Sequence, residues 1–175
     1  GRLDIGIQAT AQAQLDEARR HHSMALEISR RVGDRAEECA ALNGMGTVHV
    51  DLGLTHEARV CYDSALRAAR DAGDRGWECA ALSNLGGALF NLGEMDGAAQ
   101  NFQASREVAR ELGDRMREGN AMCNLGALHL NRGRLQEARA QLRDALQVAS
   151  AIGHVRLECI VHCNLGMVQF GLQDW

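Results

Sequence analysis

The 175-residue sequence contains no proline and no lysine, and all 19 of its basic residues are arginine. Without proline, no ring interrupts a backbone hydrogen-bond ladder, and the chain suits long continuous helices. The missing lysine has no physical reading in fold or function. No apolar run approaches the ~20 residues needed to cross a bilayer, and no charged-then-apolar leader opens the chain. A basic patch is also lacking: the formal charge is −4, the pI is near 6.0, and arginines alternate with acids in every segment. That distribution excludes the footprint of a nucleic-acid binder. The expectation is a soluble, cytoplasmic protein with neither nucleic acid nor membrane among its partners.

What the chain does have is repetition. "SNLGGALFNLGEMDGAA" at 83–99 returns as "CNLGALHLNRGRLQEA" at 123–138 and begins again as "CNLGMVQF" at 163–170. Gly6, Gly46, Gly86, Gly126 and Gly166 are each 40 residues from the next. Such a period is the signature of a repeat architecture, whose length is limited by the number of repeats and not by one core. The whole chain, 1–175, reads as one repeat domain. Residues 33–72, 73–112 and 113–152 are complete units, 1–32 is the remainder of an earlier unit, and 153–175 is the start of another.

Each unit writes two helices. In 78–92, Ala81, Leu82, Leu85, Ala88, Leu89 and Leu92 fall at helical spacing and Gly93 follows as a stop. The second helix carries one apolar stripe, Ala98, Phe102, Val108 and Ala109 in one unit and Ala138, Leu142, Ala145 and Leu146 in the next. "GDR" marks the boundaries at 33–35, 73–75 and 113–115 and becomes "GHV" at 153–155. The glycine can close one helix in the left-handed conformation, and Asp34, Asp74 or Asp114 can cap the next. With His154 in place of Asp, the last helix should start more weakly. Glu38, Glu78, Glu118 and Glu158 recur in the following first turn, where an acid favours the positive end of the helix dipole. Cys39, Cys79 and Cys159 share one phase of the repeat and Cys123 and Cys163 another, so the six cysteines read as reduced, buried thiols.

These residues resemble the tetratricopeptide repeat family. Leu82, Leu85-Gly86, Leu89, Gly93, Ala98 and Phe102 match its pattern, with Ser105 in place of the final Ala. Met122, Leu125-Gly126, His129, Gly133, Ala138, Leu142 and Ala145 match it again, as do Leu42, Met45-Gly46, His49, Gly53, Ala58, Tyr62 and Ala65. Gly6, Ala18 and Ala25 keep the phase at the N-terminal end. The family's usual unit is about 34 residues; this 40-residue variant ending in Gly-Asp is similar to the repeats of LGN/Pins adaptors and of large bacterial signalling ATPases and regulators. The LGN/Pins adaptors carry a groove-side Arg six residues before the motif Gly, where this chain has Ala40, Ala80, Asn120 and Ile160. The resemblance implies an all-α fold, a right-handed superhelical solenoid of antiparallel helix pairs, here with nine helices counting the partial units.

It also implies a concave groove lined by first helices, with Asn84, Asn91, Asn124, Asn131 and Asn164 and the apolar Phe90, Leu130 and Phe170 as candidate peptide-binding residues. An amide supplies both donor and acceptor, so an Asn ladder can satisfy the main chain of an extended peptide. The same Asn residues can equally tie adjacent helices together, and the apolar strip can equally be inter-repeat packing. Cys159, His162 and Cys163 share a helical face, but with no fourth ligand apparent they read as packing residues and not as a zinc site. His49 and His129 replace large core residues and read as satisfied interior histidines. No phosphate loop, nucleophile elbow or isolated carboxylate pair occurs. The reading is therefore a protein-interaction scaffold for a peptide or helix, not an enzyme, with no metal and no cofactor. The alternative is a structural or assembly segment of a larger signalling ATPase or transcriptional regulator. Ile160, Val161, Leu165, Val168 and Leu172 in the last helix lack a second helix to cover them. The natural chain is therefore expected to continue past Trp175, and this chain to self-associate through that uncapped helix.

Overall fold

In the computed structural model the backbone is described for residues 2–173 and the side chains for 12–173. The described residues form eight α-helices and no strands: α1 (Arg2–Val32), α2 (Arg35–Asp51), α3 (Thr55–Ala72), α4 (Arg75–Asn91), α5 (Met95–Glu111), α6 (Arg115–Asn131), α7 (Leu135–Ala151) and α8 (Val155–Gln173). Of the expected pairs, α2 packs with α3 and α6 with α7. The expected ninth helix is absent because α1 runs unbroken for 31 residues. Its cause is visible in the phase of the turns. Gly53, Gly93 and Gly133 each adopt positive φ between the two helices of a pair, and the residue one period earlier is Ala13, which stays inside α1. An L-residue with a Cβ resists the left-handed conformation, so the helix continues where glycine would end it.

At the unit boundaries Gly33, Gly73, Gly113 and Gly153 do end their helices with positive φ. The amide after each returns to the carbonyl five residues back: Asp34 to Ser29, Asp74 to Ala69, Asp114 to Ala109 and His154 to Ala149, all at 2.9 Å. The same Asp residues then cap the next helix, Oδ1 accepting from the amides of Glu37 (3.1 Å), Trp77 (2.9 Å) and Arg117 (2.9 Å). The fourth start, expected to be weaker without the carboxylate, is capped by a neutral acceptor: the Nδ1 of His154 accepts from the Leu157 amide at 3.1 Å. This bond requires the proton to sit on Nε2.

Packing forms two compact units, Gly1–Ala88 and Leu89–Trp175. In the first, α2 packs against α1 and α3. Gly46 gives α3 room to bring the Tyr62 ring onto α2, and Gly44 does the same for His22 of α1. In the second, α6 packs against α5 and α7, α7 also packs against α8, and α6 reaches α8. Gly126 is the counterpart of Gly46, with Leu142 Cγ only 2.6 Å from where a Cβ would lie. The second-helix stripes are buried as the periodicity predicts: Ala58, Ala98 and Ala138 are 0% exposed, and Tyr62, Phe102 and Leu142 lie within the core.

Helix α8 departs from its expected exposure. Val161 and Val168 are 0% and 1% exposed, and Leu165 and Leu172 pack against the α6–α7 core, so the preceding helix pair covers most of the stripe expected to be bare. The exposed apolar residues of this helix are Val155, Ile160, Met167 and Phe170. Cys159 and Cys163 are also exposed, against the expectation of buried thiols, whereas Cys39, Cys79 and Cys123 are buried and Cys61 is half-buried.

Gly126→Ala should lower stability by about 1–3 kcal/mol through overpacking against Leu142. Gly87→Ala, with nothing within 4 Å of the added methyl, should be neutral or stabilising; chemical denaturation of the two variants checks the contrast.

Candidate functional site

A repeat scaffold offers function only on faces that packing leaves free, so the joints come first. Glu38, Glu78 and Glu118, expected to serve the helix dipole, are buried, with 5–8% relative exposure. Each bridges two helices. Glu38 accepts from Arg30 Nε of α1 at 2.9 Å and from Arg35 of α2 at 2.6 Å. Glu78 accepts from Arg70 Nε of α3 at 2.9 Å and from Arg75 of α4. Glu118 pairs with Arg110 of α5 at 3.6 Å and with Arg115 of α6.

Hydrogen bonding from Arg30 holds the Glu38 carboxyl below the usual carboxylate range, with burial opposing and Arg35 reinforcing. At Glu78 burial is the largest effect and pushes upward, but Arg70 and Arg75 together outweigh it and the net shift is down. Sequence reading found the glutamates and missed their partners, although the Arg lies eight residues before each Glu and again three before it. At the fourth joint those positions hold Ser150 and Val155, and Glu158 is only half-buried.

The candidate amides separate into two sets. Asn84 donates to the Oδ1 of Asn43 on α2 at 3.1 Å, and Asn43 is itself buried and donates to the Cys39 carbonyl at 3.1 Å. Asn164 donates to the Cys123 sulfur at 3.5 Å, joining α8 to α6. One N–H of each therefore ties successive first helices, leaving its second N–H and its carbonyl oxygen. Asn124 is half-buried, while Asn91 and Asn131 are exposed at the ends of α4 and α6. Phe90 and Leu130 are half-buried, Leu130 packing against the core of the second unit, and Phe170 is 69% exposed. Between α6 and α8 a pocket of about 290 Å³ is lined by Asn120, His154, Arg156, Leu157 and Ile160. It holds two positions of the groove-side series, Asn120 and Ile160, and was not singled out from sequence because its polar members break their series instead of recurring in it.

His49 and His129 are half-buried, but the Nδ1 of each is buried without a hydrogen-bond partner, so they are not the satisfied interior histidines expected. Burial pushes the His129 imidazole below its ordinary value, with Glu137 opposing and Arg134 and Arg132 adding to the shift. Cys159, His162 and Cys163 all face solvent, and no cluster of three or more metal-ligating side chains occurs among the described residues. No helix among them is long and apolar enough to cross a membrane.

A family model described as tetratricopeptide repeat matches residues 2–71 and 77–151. No curated protein matches the sequence. Among solved structures, the apo form of RapI is 18% identical with a TM-score of 0.83, covering 97% of this chain and 62% of that one. A signal transduction ATPase with a tetratricopeptide repeat sensor from Pyrococcus horikoshii is 20% identical with a TM-score of 0.75, covering 89% and 24%. The Rap conjugation gene regulator of plasmid pLS20, in complex with the Phr* peptide, is 17% identical with a TM-score of 0.70, covering 81% and 40%. The chain thus spans less than two thirds of each of these three proteins.

Glu78→Gln should cost about 1–3 kcal/mol at neutral pH, the value of buried charge-assisted hydrogen bonds less the screening of exposed guanidiniums. Because the folded carboxyls of Glu38 and Glu78 titrate below their unfolded value, this stabilisation is present at neutral pH and lost as pH falls through the carboxylate range. Wild type and variant should therefore converge on acidification, as read by urea unfolding at several pH values. In native thiol titration, Cys159 and Cys163 should react first. Cys39, pushed up to about 11 chiefly by burial, and Cys123, raised chiefly by burial, should react only on unfolding. Rapid modification of all six would contradict the burial described.

Proposed function

Because the chain belongs to the tetratricopeptide repeat family, we propose that it is a non-catalytic protein-interaction scaffold that holds a peptide or helix of a partner protein along its first helices. The observation that carries this reading is a second face on those helices. Beside the stripe buried against second helices, they present half-buried and exposed amides and apolar side chains, and between α6 and α8 this face opens into the pocket lined by Asn120, Arg156 and Ile160. Amides reading a peptide main chain, apolar Phe90, Leu130 and Phe170 gripping alternate side chains and a pocket seating one larger side chain make a consistent recognition mode. The solved pLS20 regulator, bound to a peptide, supports the same class of ligand.

A second reading is that the repeats are a segment of a larger signalling ATPase or transcriptional regulator. It draws on the likeness to the Pyrococcus sensor, of which this chain covers 24%, and is decided by the sequence encoded on either side.

A peptide selected from a displayed library on this chain provides the probe. Asn124→Ala combined with Asn131→Ala should weaken its binding by about 1–3 kcal/mol, the cost of leaving peptide backbone groups unpaired. Asn101→Ala on α5, whose amide donates to the Gly97 carbonyl of its own helix at 2.9 Å, should leave it unchanged. Equal affinities for all three proteins by fluorescence anisotropy would remove the first-helix face from consideration.

A further inference from the structure

Helix α8 is written to be buried on more sides than its packing covers. From Cys159 to Gln173 it contains no Asp, Glu, Arg or Lys, and neither do residues 39–50 of α2, 79–91 of α4 and 119–131 of α6, most of which are buried or half-buried. A helix lacking charge on every side belongs in an interior. Yet α8 presents exposed Val155 and Cys159 and an open Gly166, with no atom within 4 Å of where its Cβ would lie. At the equivalent glycines of α2 and α6, Tyr62 and Leu142 of a second helix fill that space. Among the described residues α8 is a first helix without its second.

Helix α1 has the opposite deficit. Its closing Gly33 and its Arg30–Glu38 bridge place it in register with the second helices α3 and α5. It keeps alanines at 18 and 25, whose counterparts Ala58, Ala98 and Ala138, and Ala65 and Ala145, are 0% exposed against their first helices. In α1 both alanines are only half-buried. Met24, Ile28 and Val32, at steps of four, are 60%, 47% and 68% exposed, whereas the counterparts of Ile28, namely Ala68, Val108 and Val148, are 5–6% exposed. Because α1 continues straight through Ala13, no first helix among the described residues folds back to cover this stripe.

We propose that α8 of one molecule and α1 of a second molecule pack as the first and second helices of one composite repeat, so that copies of this chain associate head to tail. The repeat supplies the register. Val148 of α7 lies 3.2 Å from the Cβ position of Gly119 on α6. One period on, this contact places Ile28 of the second molecule against Cys159, with Val32 towards Val155. An interface between two different surfaces does not close on itself by two-fold symmetry, so association extends beyond the dimer as concentration rises. The inference does not rest on the peptide-binding reading, although Phe170, one turn after Gly166, borders the same face of α8.

Light scattering coupled to size exclusion tests it with two variants altered only at exposed positions, Val155→Glu/Cys159→Glu on α8 and Met24→Glu/Ile28→Glu on α1. Wild type should exceed its monomer mass of 19.0 kDa progressively with concentration. Each variant alone should remain monomeric with an unchanged helical circular dichroism spectrum. An equimolar mixture should recover a dimer and no more, because each variant retains the surface the other has lost. A wild type that is monomeric at high micromolar concentration overturns the proposal. An α1 variant that still self-associates, or a mixture that stays monomeric, overturns it too, the former pointing to α8 pairing with its own copy.

Discussion

A carboxylate withdrawn from water must meet opposite charge, and in this protein that requirement fixes how one repeat follows another. Glu38, Glu78 and Glu118 each sit at a joint between a second helix and the next first helix, and each is held by one Arg from either side. Apolar contacts alone would let two helices slide or rotate with little penalty. A largely buried carboxylate that loses either guanidinium gives up a charge-assisted hydrogen bond that little water can replace, which favours one relative placement of the two helices. The short bonds between first helices, Asn84 to Asn43 and Asn164 to Cys123, tolerate little sliding and depend on that placement.

Much of the fold was legible because its punctuation is local. The left-handed glycines, the Asp caps and the stripes of α3, α5 and α7 all follow from residues a few positions apart, and the 40-residue period repeats them. What escaped was set by an absence or by a partner across a joint. The glycine series at 53, 93 and 133 fails at Ala13, and reading Gly6 as a repeat marker hid the fact that the turn is written by the other glycine. The Glu series was visible as a periodicity, but its Arg partners are a geometric fact of two helices meeting. In α8, Val161 and Val168 were placed correctly on an apolar stripe; they are buried with α6 and α7 of the preceding repeat, not by a second helix still to come.

The candidate binding residues were harder to read for a different reason. In a repeat, any position that recurs does so whether it serves packing or recognition, so periodicity identifies a ladder without stating its purpose. Asn84 and Asn164 show one amide serving packing while leaving hydrogen-bonding capacity over. The pocket beside α8 arises where the series breaks, with His154 replacing Asp and Arg156 standing where Ala36, Gly76 and Met116 stand earlier. Non-periodic residues on a periodic frame are where individuality enters such a protein.

The joint also has a meaning for how such a chain can grow. Its parts, an Arg, a Gly-Asp-Arg turn and a Glu, all fall within nine consecutive residues, 70 to 78 in one instance. A duplication of any 40-residue segment that leaves one such stretch whole carries a working hinge pin with it, and the new unit needs no compensating change elsewhere in the gene. Lengthening by whole repeats is then a single genetic event, whereas an insertion inside those nine residues separates the acid from its bases and strands a charge in the interior.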